Sequence, residues 1–212
     1  MEKKPSLVIL LVFSILANFT IAENYKIAFG SCLDQENPQP IWNSVYKEDI
    51  DSFVFLGDNV YGDIPSGKLN KMYEAYKLQA EMIPSWLFKK NIEMIWDDHD
   101  FGKNDGGSSY PLKYEAKKLY LDFWEIPNDD IRHQRDGIYV NKLIYVDNFK
   151  INLILLDTRF FRSDLKKTKG IKPVYLKNEE LNATILGDDQ WSWLVEVMKI
   201  KSDLTIVATS IQ

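Results

Sequence analysis

Hydrophobic and polar positions along this chain switch repeatedly between the period of a strand and that of a helix. Tyr25 to Phe29 alternates and runs into Gly30-Ser31-Cys32, the pattern of a strand that ends at a glycine turn. Gln39 to Glu48 follows two prolines and carries Ile41, Trp42, Val45 and Tyr46 at helical spacing. Ser52 to Leu56 is a nearly continuous apolar run, which predicts a strand buried on both faces. Leu69 to Met82 predicts a helix with Met72, Tyr73, Tyr76 and Ala80 along one side, and Pro84 opens a short turn through Trp86 and Leu87. Ile92 to Trp96 predicts another buried strand that stops abruptly at Asp97-Asp98-His99-Asp100. Pro111 is placed to start a helix through Tyr114, Leu119, Leu121 and Trp124. Ile138 to Val146 and Lys150 to Leu156 read as the arms of a hairpin around Asp147-Asn148-Phe149. An amphipathic segment from Asp188 to Ile200 and a strand from Leu204 to Ala208 complete an α/β alternation without repeats or low-complexity tracts.

The first segment departs from this rhythm. Glu2-Lys3-Lys4, an apolar run from Leu7 to Leu16 and the small or polar residues up to Ala22 form the pattern of a signal peptide over residues 1–22, followed by a domain over 23–212. The run is interrupted by Ser14, Ala17, Asn18 and Thr20, which makes it short for the roughly 20 apolar residues of a membrane span. No later stretch is long and apolar enough to span. The expected destination is therefore the secretory pathway, where Asn182-Ala183-Thr184 forms a glycosylation triplet.

Composition narrows the chemistry. A net charge of -5 argues against non-specific nucleic-acid binding, which runs on basic surface. The single cysteine, Cys32, excludes an internal disulfide framework, and two histidines, His99 and His133, exclude a histidine-rich zinc site. Carboxylates, one thiol, phenols and amides must carry the function.

Three predicted strands run into polar clusters: Ser52–Leu56 into Gly57-Asp58, Ile92–Trp96 into the Asp97 block, and Lys150–Leu156 into Asp157-Thr158-Arg159. Ligands of open α/β sheets bind beyond the carboxyl ends of strands, so these clusters are candidates for one shared site. Asp58, Tyr61 and Asp63 offer oxygen ligands in a loop between glycines, and a phenolate suits a hard trivalent cation. The same loop reads equally as an Asp/Asn/Gly turn with a packed tyrosine. From Asp97 to Asp105, four carboxylates surround His99 and repel one another unless a cation gathers them. The alternative is a solvated acidic loop. Cys32 is either a small buried hydrophobe or a ligand. Arg159 is either a phosphate clamp, since a guanidinium matches phosphate oxygens in pairs, or a partner for Asp157.

The ordered series Gly30-Ser31-Cys32, Gly57 through Asp63, Trp96 through Asp105, Leu156 through Arg159, Ile185 through Leu194 and Ser210-Ile211-Gln212 resembles the PhoD-like alkaline phosphatases and phosphodiesterases. These belong to the calcineurin-like metallophosphoesterases. The resemblance spans nearly everything after residue 22, and the aspartate block follows the subgroup with Asp-Asp-His-Asp-aromatic-Gly. It implies a two-layer β-sandwich flanked by helices, with a di- or trinuclear metal centre at the strand ends. It further implies Fe(3+) held by Cys32, Asp58 and Tyr61, and Ca(2+) or another divalent ion held by Asp58 and Asn104. His99, Asp97 and Asp98 would line the phosphate position and take part in proton transfer, with Arg159 on the phosphate of a small-molecule ester.

The family continues past the position of Gln212 with a Gly-Asp-x-His segment that completes its metal centre. The expectation is thus a C-terminally truncated member with little or no phosphatase activity as these 212 residues. Two other readings compete. The six tryptophans and eleven tyrosines also fit a secreted carbohydrate-binding or degenerate, non-catalytic module. Paired carboxylates fit a glycoside hydrolase, which leaves Cys32, Tyr61 and Asn104 without a role.

Overall fold

The structure is a computed structural model that describes residues 24–170 and 174–211. The expected signal peptide and Gln212 lie outside the described residues. The chain folds as a mixed α/β protein with three small sheets.

The first sheet is parallel throughout, in the order β1 (Ile27–Gly30), β2 (Ser52–Leu56), β3 (Asn91–Ile95). The second pairs β4 (Val140–Val146) antiparallel with β5 (Phe149–Leu155), and β5 parallel with β8 (Leu204–Ala208). β6 (Lys166–Lys167) and β7 (Tyr175–Leu176) form a small antiparallel hairpin. The helices are α1 (Ile41–Lys47), α2 (Asn70–Met82), α3 (Asp98–Phe101), α4 (Lys113–Phe123), α5 (Ile131–Gln134) and α6 (Gly187–Met198), with a 3₁₀ turn at Leu87–Lys89.

β2 shows why an unbroken apolar run becomes a central strand. Phe53 and Phe55 point into a cluster with Trp42 of α1, Met72 and Tyr76 of α2, and Tyr120 and Leu121 of α4. Val54, one residue out of phase, points the other way and meets Ile95 of β3, Val140 of β4, Leu153 and Leu155 of β5 and Ala208 of β8. β5 repeats the arrangement: Ile154 turns away from Leu153 and Leu155 and packs with Leu186 and Val197 around α6. Side chains two apart share a face of a strand, so each central strand buries both faces. Each fully buried aliphatic side chain contributes about 1.5–3 kcal/mol relative to exposure.

Several expectations shift. In α2 the buried stripe is Met72, Ala75, Tyr76 and Gln79, while Tyr73 is 61% exposed and Ala80 faces outward. Gln79, a residue no hydrophobic pattern assigns inward, accepts a hydrogen bond from Gln39 at 3.0 Å. α4 begins at Lys113, so Pro111 precedes it instead of occupying its first position. The β4–β5 turn is shorter than expected: Val146 pairs with Phe149, leaving only Asp147 and Asn148, and Asp147 takes φ 50°. Aspartate enters the left-handed region more readily than most residues because its short side chain bonds locally. The four-residue helices α3 and α5 and the hairpin β6–β7 are too short to leave a periodic signal.

The tryptophans are mostly structural. Trp42, Trp96 and Trp124 are buried, and Trp86 and Trp193 pack against the clusters, leaving Trp191 half exposed. Of the aromatic richness that invited a carbohydrate-binding reading, the tryptophans are largely core, while Tyr46, Tyr73, Tyr114, Tyr145 and Tyr175 are exposed.

Candidate metal centre

The carboxyl ends of β1, β2, β3, β5 and β8 converge. Gly57 follows β2 with φ 99°, and a Cβ there would lie 2.7 Å from Asp97 Cβ and 2.8 Å from its backbone nitrogen. Only glycine allows the β2 and β3 ends to approach so closely, which brings the Asp58 loop against the Asp97 block. Gly62 serves differently: a Cβ would meet Ala75 Cβ at 2.7 Å, so this glycine seats the loop against α2. Cys32 and Asp58 both adopt left-handed backbone, φ 59° and 52°, and their strands are latched by Cys32 N–H donating to the Gly57 carbonyl at 3.1 Å.

Two buried carboxylates build the scaffold. Asp100, fully buried in α3, accepts from the N–H groups of Asn59 at 2.8 Å and Asp97 at 2.9 Å, closing a capping box with Asp97. Burial pushes its carboxyl up to about 8. Asp157 accepts from Trp96 Nε1 at 2.7 Å and from the N–H groups of Ile138, Arg159 and Phe160, each at 2.9 Å. Gln190 of α6 pairs with both the N–H and the carbonyl of Asp157 at 2.8 Å. Neither acid is free for substrate; both fix loops.

The remaining groups face one another. One ligand atom from each of Asp58, Asp98 and His99 lies within 4.8 Å of the other two. Cys32 Sγ is 3.9 Å from Asp58 Oδ2, and the Tyr61 ring stacks 4.4 Å from that of His99 at 41°. His99 Nδ1 pairs with Asp63 Oδ1 at 2.6 Å, and Asp63 Oδ2 accepts from the Asn104 N–H at 3.0 Å. Arg159 does not pair with the Asp157 carboxylate through its side chain. It donates to Asp97, and its Nη2 lies 3.7 Å from Asp98. Ser210 donates to Asp97 at 2.9 Å and pairs with Thr158 at 2.6 Å, tying the ends of β8 and β5 to that of β3.

Of the residues expected at the site, Cys32, Asp58, Tyr61, Asp97, Asp98, His99 and Arg159 meet here. Asn104 is exposed at the edge, held by its backbone to Asp63. The sequence pattern marks Asp63 as an oxygen ligand and counts Asp105 in the acidic block, but gives Ser210 and Gln190 no role; the signal for those two was their place inside the motif series. Asn182 of the glycosylation triplet is exposed.

The electrostatics mark a site short of positive charge. Burial, reinforced by Asp97, pushes the Asp58 carboxyl up to about 6. Burial, then Asp58 and Cys32, holds the Tyr61 phenol well above its ordinary value. The Asp63 hydrogen bond lifts the His99 imidazole to about 9, against the opposing effect of burial. A cation among these groups would reverse the penalties on carboxylate and phenolate alike. The carboxylates and the phenol are hard oxygen donors and the Cys32 thiol beside them is a softer one, a donor set that can hold a metal ion.

No family model matches the sequence, and no curated protein matches it. A search of solved structures does find a match. This chain's fold is similar to that of PhoD. The match has a TM-score of 0.61 at 18% identity and covers 88% of this chain. The chain spans 42% of the PhoD chain it matches. Among the described residues, no helix is long and apolar enough to cross a membrane.

Proposed function

We propose that this chain carries the metal centre of a PhoD-like phosphoesterase that hydrolyses small-molecule phosphate mono- or diesters. The observation that carries this reading is the convergence of Asp58, Asp98 and His99 within 4.8 Å at the carboxyl ends of β2 and β3, with buried Arg159 beside them. By the family resemblance, Cys32, Asp58 and Tyr61 would hold Fe(3+), and Asp58 with Asn104 would hold Ca(2+) or another divalent ion. Bound there, the cations would supply a water of lowered pKa and charge to offset the phosphate oxygens.

The protein's own residues do the rest. Asp97 holds one side of the Arg159 guanidinium, and the Nη1 of Arg159 is buried without a partner, a donor left over for an anion. His99, oriented by the hydrogen bond of its Nδ1 to Asp63, is the group suited to exchange a proton with the leaving alkoxide. Asp97 and Asp98 border the phosphate position and aim Arg159. The two main sheets, which share the cluster around Val54 and Leu153, read as the two layers of a metallophosphoesterase sandwich. The signal-peptide pattern over residues 1–22, ahead of a phosphoesterase domain over 23–212, supports a destination in the secretory pathway.

The test is to load the purified chain with Fe(3+) and Ca(2+), measure bound metal and visible absorption, and follow p-nitrophenyl phosphate and bis-p-nitrophenyl phosphate turnover. Stoichiometric iron with a purple tyrosinate band, lost in Asp58→Ala, is the expected result. A folded chain that binds neither metal would overturn the reading.

A further inference from the structure

Asp105 ends the aspartate block, and the site described above leaves it without a task. It is the one left-handed non-glycine residue in the segment from Asp97 to Asp105, at φ 57°. Such a conformation costs on the order of 1–3 kcal/mol outside glycine, a cost lower for aspartate, and persists where surroundings over-determine it. Here they do so from three directions. Its N–H donates to Asp98 Oδ2 at 2.7 Å. Its carbonyl accepts from Arg162 Nη2, which also donates to the Gly106 carbonyl at 2.9 Å. Its carboxylate accepts from Lys167 Nζ at 2.8 Å and from the Tyr175 hydroxyl, one residue from each strand of the β6–β7 hairpin.

Arg162 is 6% exposed and lies in the same loop as Arg159, three residues on. Gly107 lets the loop settle on it, since a Cβ there would stand 2.5 Å from the Arg162 carbonyl oxygen, and the Ser108 N–H donates to that same oxygen at 2.8 Å. The backbone around Asp105 is thus clamped from below by Arg162 and from outside by the hairpin.

We propose that Asp105 is a positioning residue: clamped by Arg162, Lys167 and Tyr175, it fixes the orientation of the Asp98 carboxylate and couples the β6–β7 hairpin to the metal centre. With its Oδ2 engaged by the Asp105 N–H, Asp98 keeps Oδ1 directed toward Arg159, 3.7 Å away. Asp98 is one of the three residues whose ligand atoms lie within 4.8 Å of one another, so its free rotation would disturb that grouping. Hydrogen bonds to metal-ligating carboxylates are typically worth about 10–100-fold in metal affinity. The coupling also makes the hairpin, distant in sequence from the aspartate block, part of the site's support.

This inference rests on the metal-centre reading, and its test separates the two. The full chain and its Asp105→Leu and Asp105→Asn variants are compared by hydrogen exchange over residues 98–107 and 163–170, and by calorimetric titration with Mn(2+). Asparagine tolerates the left-handed backbone and keeps the donor to Asp98, so it isolates the lost charge. The expected result for Asp105→Leu is faster exchange in both segments and a 10–100-fold weaker Mn(2+) affinity. Asp105→Asn should recover most of the affinity and the protection of 98–107 while leaving 163–170 loosened. A hairpin that loosens in Asp105→Leu with Mn(2+) affinity and 98–107 exchange unchanged overturns the coupling, as does no change in either segment. If the parent chain binds no Mn(2+), exchange over 98–107 alone decides the positioning role: faster in Asp105→Leu supports it, unchanged overturns it, while the metal-centre reading stands or falls separately by its Fe(3+) and Ca(2+) loading.

Discussion

Two acidic clusters sit in this protein, and they are balanced in opposite ways. Away from the strand ends, Glu93 of β3 and Asp130 at the N-terminus of α5 are answered by cations from the chain itself. Arg132 pairs with Asp130 at 2.8 Å, and Lys142 lies 3.6 Å from Asp130 and 3.8 Å from Glu93. The Arg132 hydrogen bonds hold the Asp130 carboxyl well below its ordinary value. At the strand ends, Asp58, Asp63, Asp97, Asp98 and Asp100 are faced by Arg159 and His99, with Arg162 acting on Asp97 and Asp98, and burial with like charge still lifts Asp58 to about 6. A cluster that supplies its own cations needs nothing more to be stable. One that does not is held in an arrangement whose missing charge must come from outside, and unrelieved charge of this kind gathers at functional sites.

That contrast can be broken by experiment. The largest effect is expected from Arg132→Met, which strands Glu93 and Asp130 beside each other in a nearly buried setting; stability should fall by about 3–5 kcal/mol, read by urea unfolding. An unchanged midpoint would show that the cluster is not self-balanced. Asp58→Asn should act with the opposite sign. Because its folded pKa is raised, the metal-free parent should lose stability as pH rises from the ordinary aspartate value of 3.8 to about 6, then level off. The variant should lack that fall and gain about 1 kcal/mol at neutral pH, discounted for a partly exposed carboxylate. Excess metal should reverse the order, stabilising the parent above the variant. A metal-free Asp58→Asn less stable than the parent would mean that the acidic site is not strained. The smallest effect belongs to Lys142→Met: its two longer, half-exposed contacts should cost about 0.5 kcal/mol. A cost as large as that of Arg132→Met would move the balance of that cluster onto lysine.

The elements were legible where burial is two-sided or strictly periodic. β2 and β8 fall at the residues the apolar pattern predicts, and the β4–β5 hairpin differs in its turn and by one or two residues at the outer ends of its arms. α2 lies where the pattern predicts and buries Met72 and Tyr76 as expected, but Ala75 and Gln79 complete its stripe in place of Tyr73 and Ala80, and no hydrophobicity pattern encodes the Gln39 bond that holds Gln79 inward. At the site, the glycine-flanked loop and the aspartate block announced their chemistry through composition. Which aspartates do structural work was hidden. Asp100 and Asp157 have the same side chain as Asp58, yet backbone N–H groups from distant loops claim them. Of the two readings open for Arg159, the pairing with Asp157 fails for the same reason: Asp157, two residues before it, is consumed by those N–H groups, and Asp97 takes the side chain instead.

The sequence by itself determined the strand–helix alternation, the acidic character and the residue types gathered at the strand ends. These follow from local periodicity and from chemistry written side chain by side chain. Only the tertiary structure decided which carboxylates are spent on backbone N–H groups, which are left facing His99 and Arg159, and that a hairpin some 60 residues further along the chain reaches back to Asp105. Those outcomes depend on distances between segments far apart in the chain. They are fixed by close approaches such as Gly57 against Asp97, which exist only once the sheets are packed.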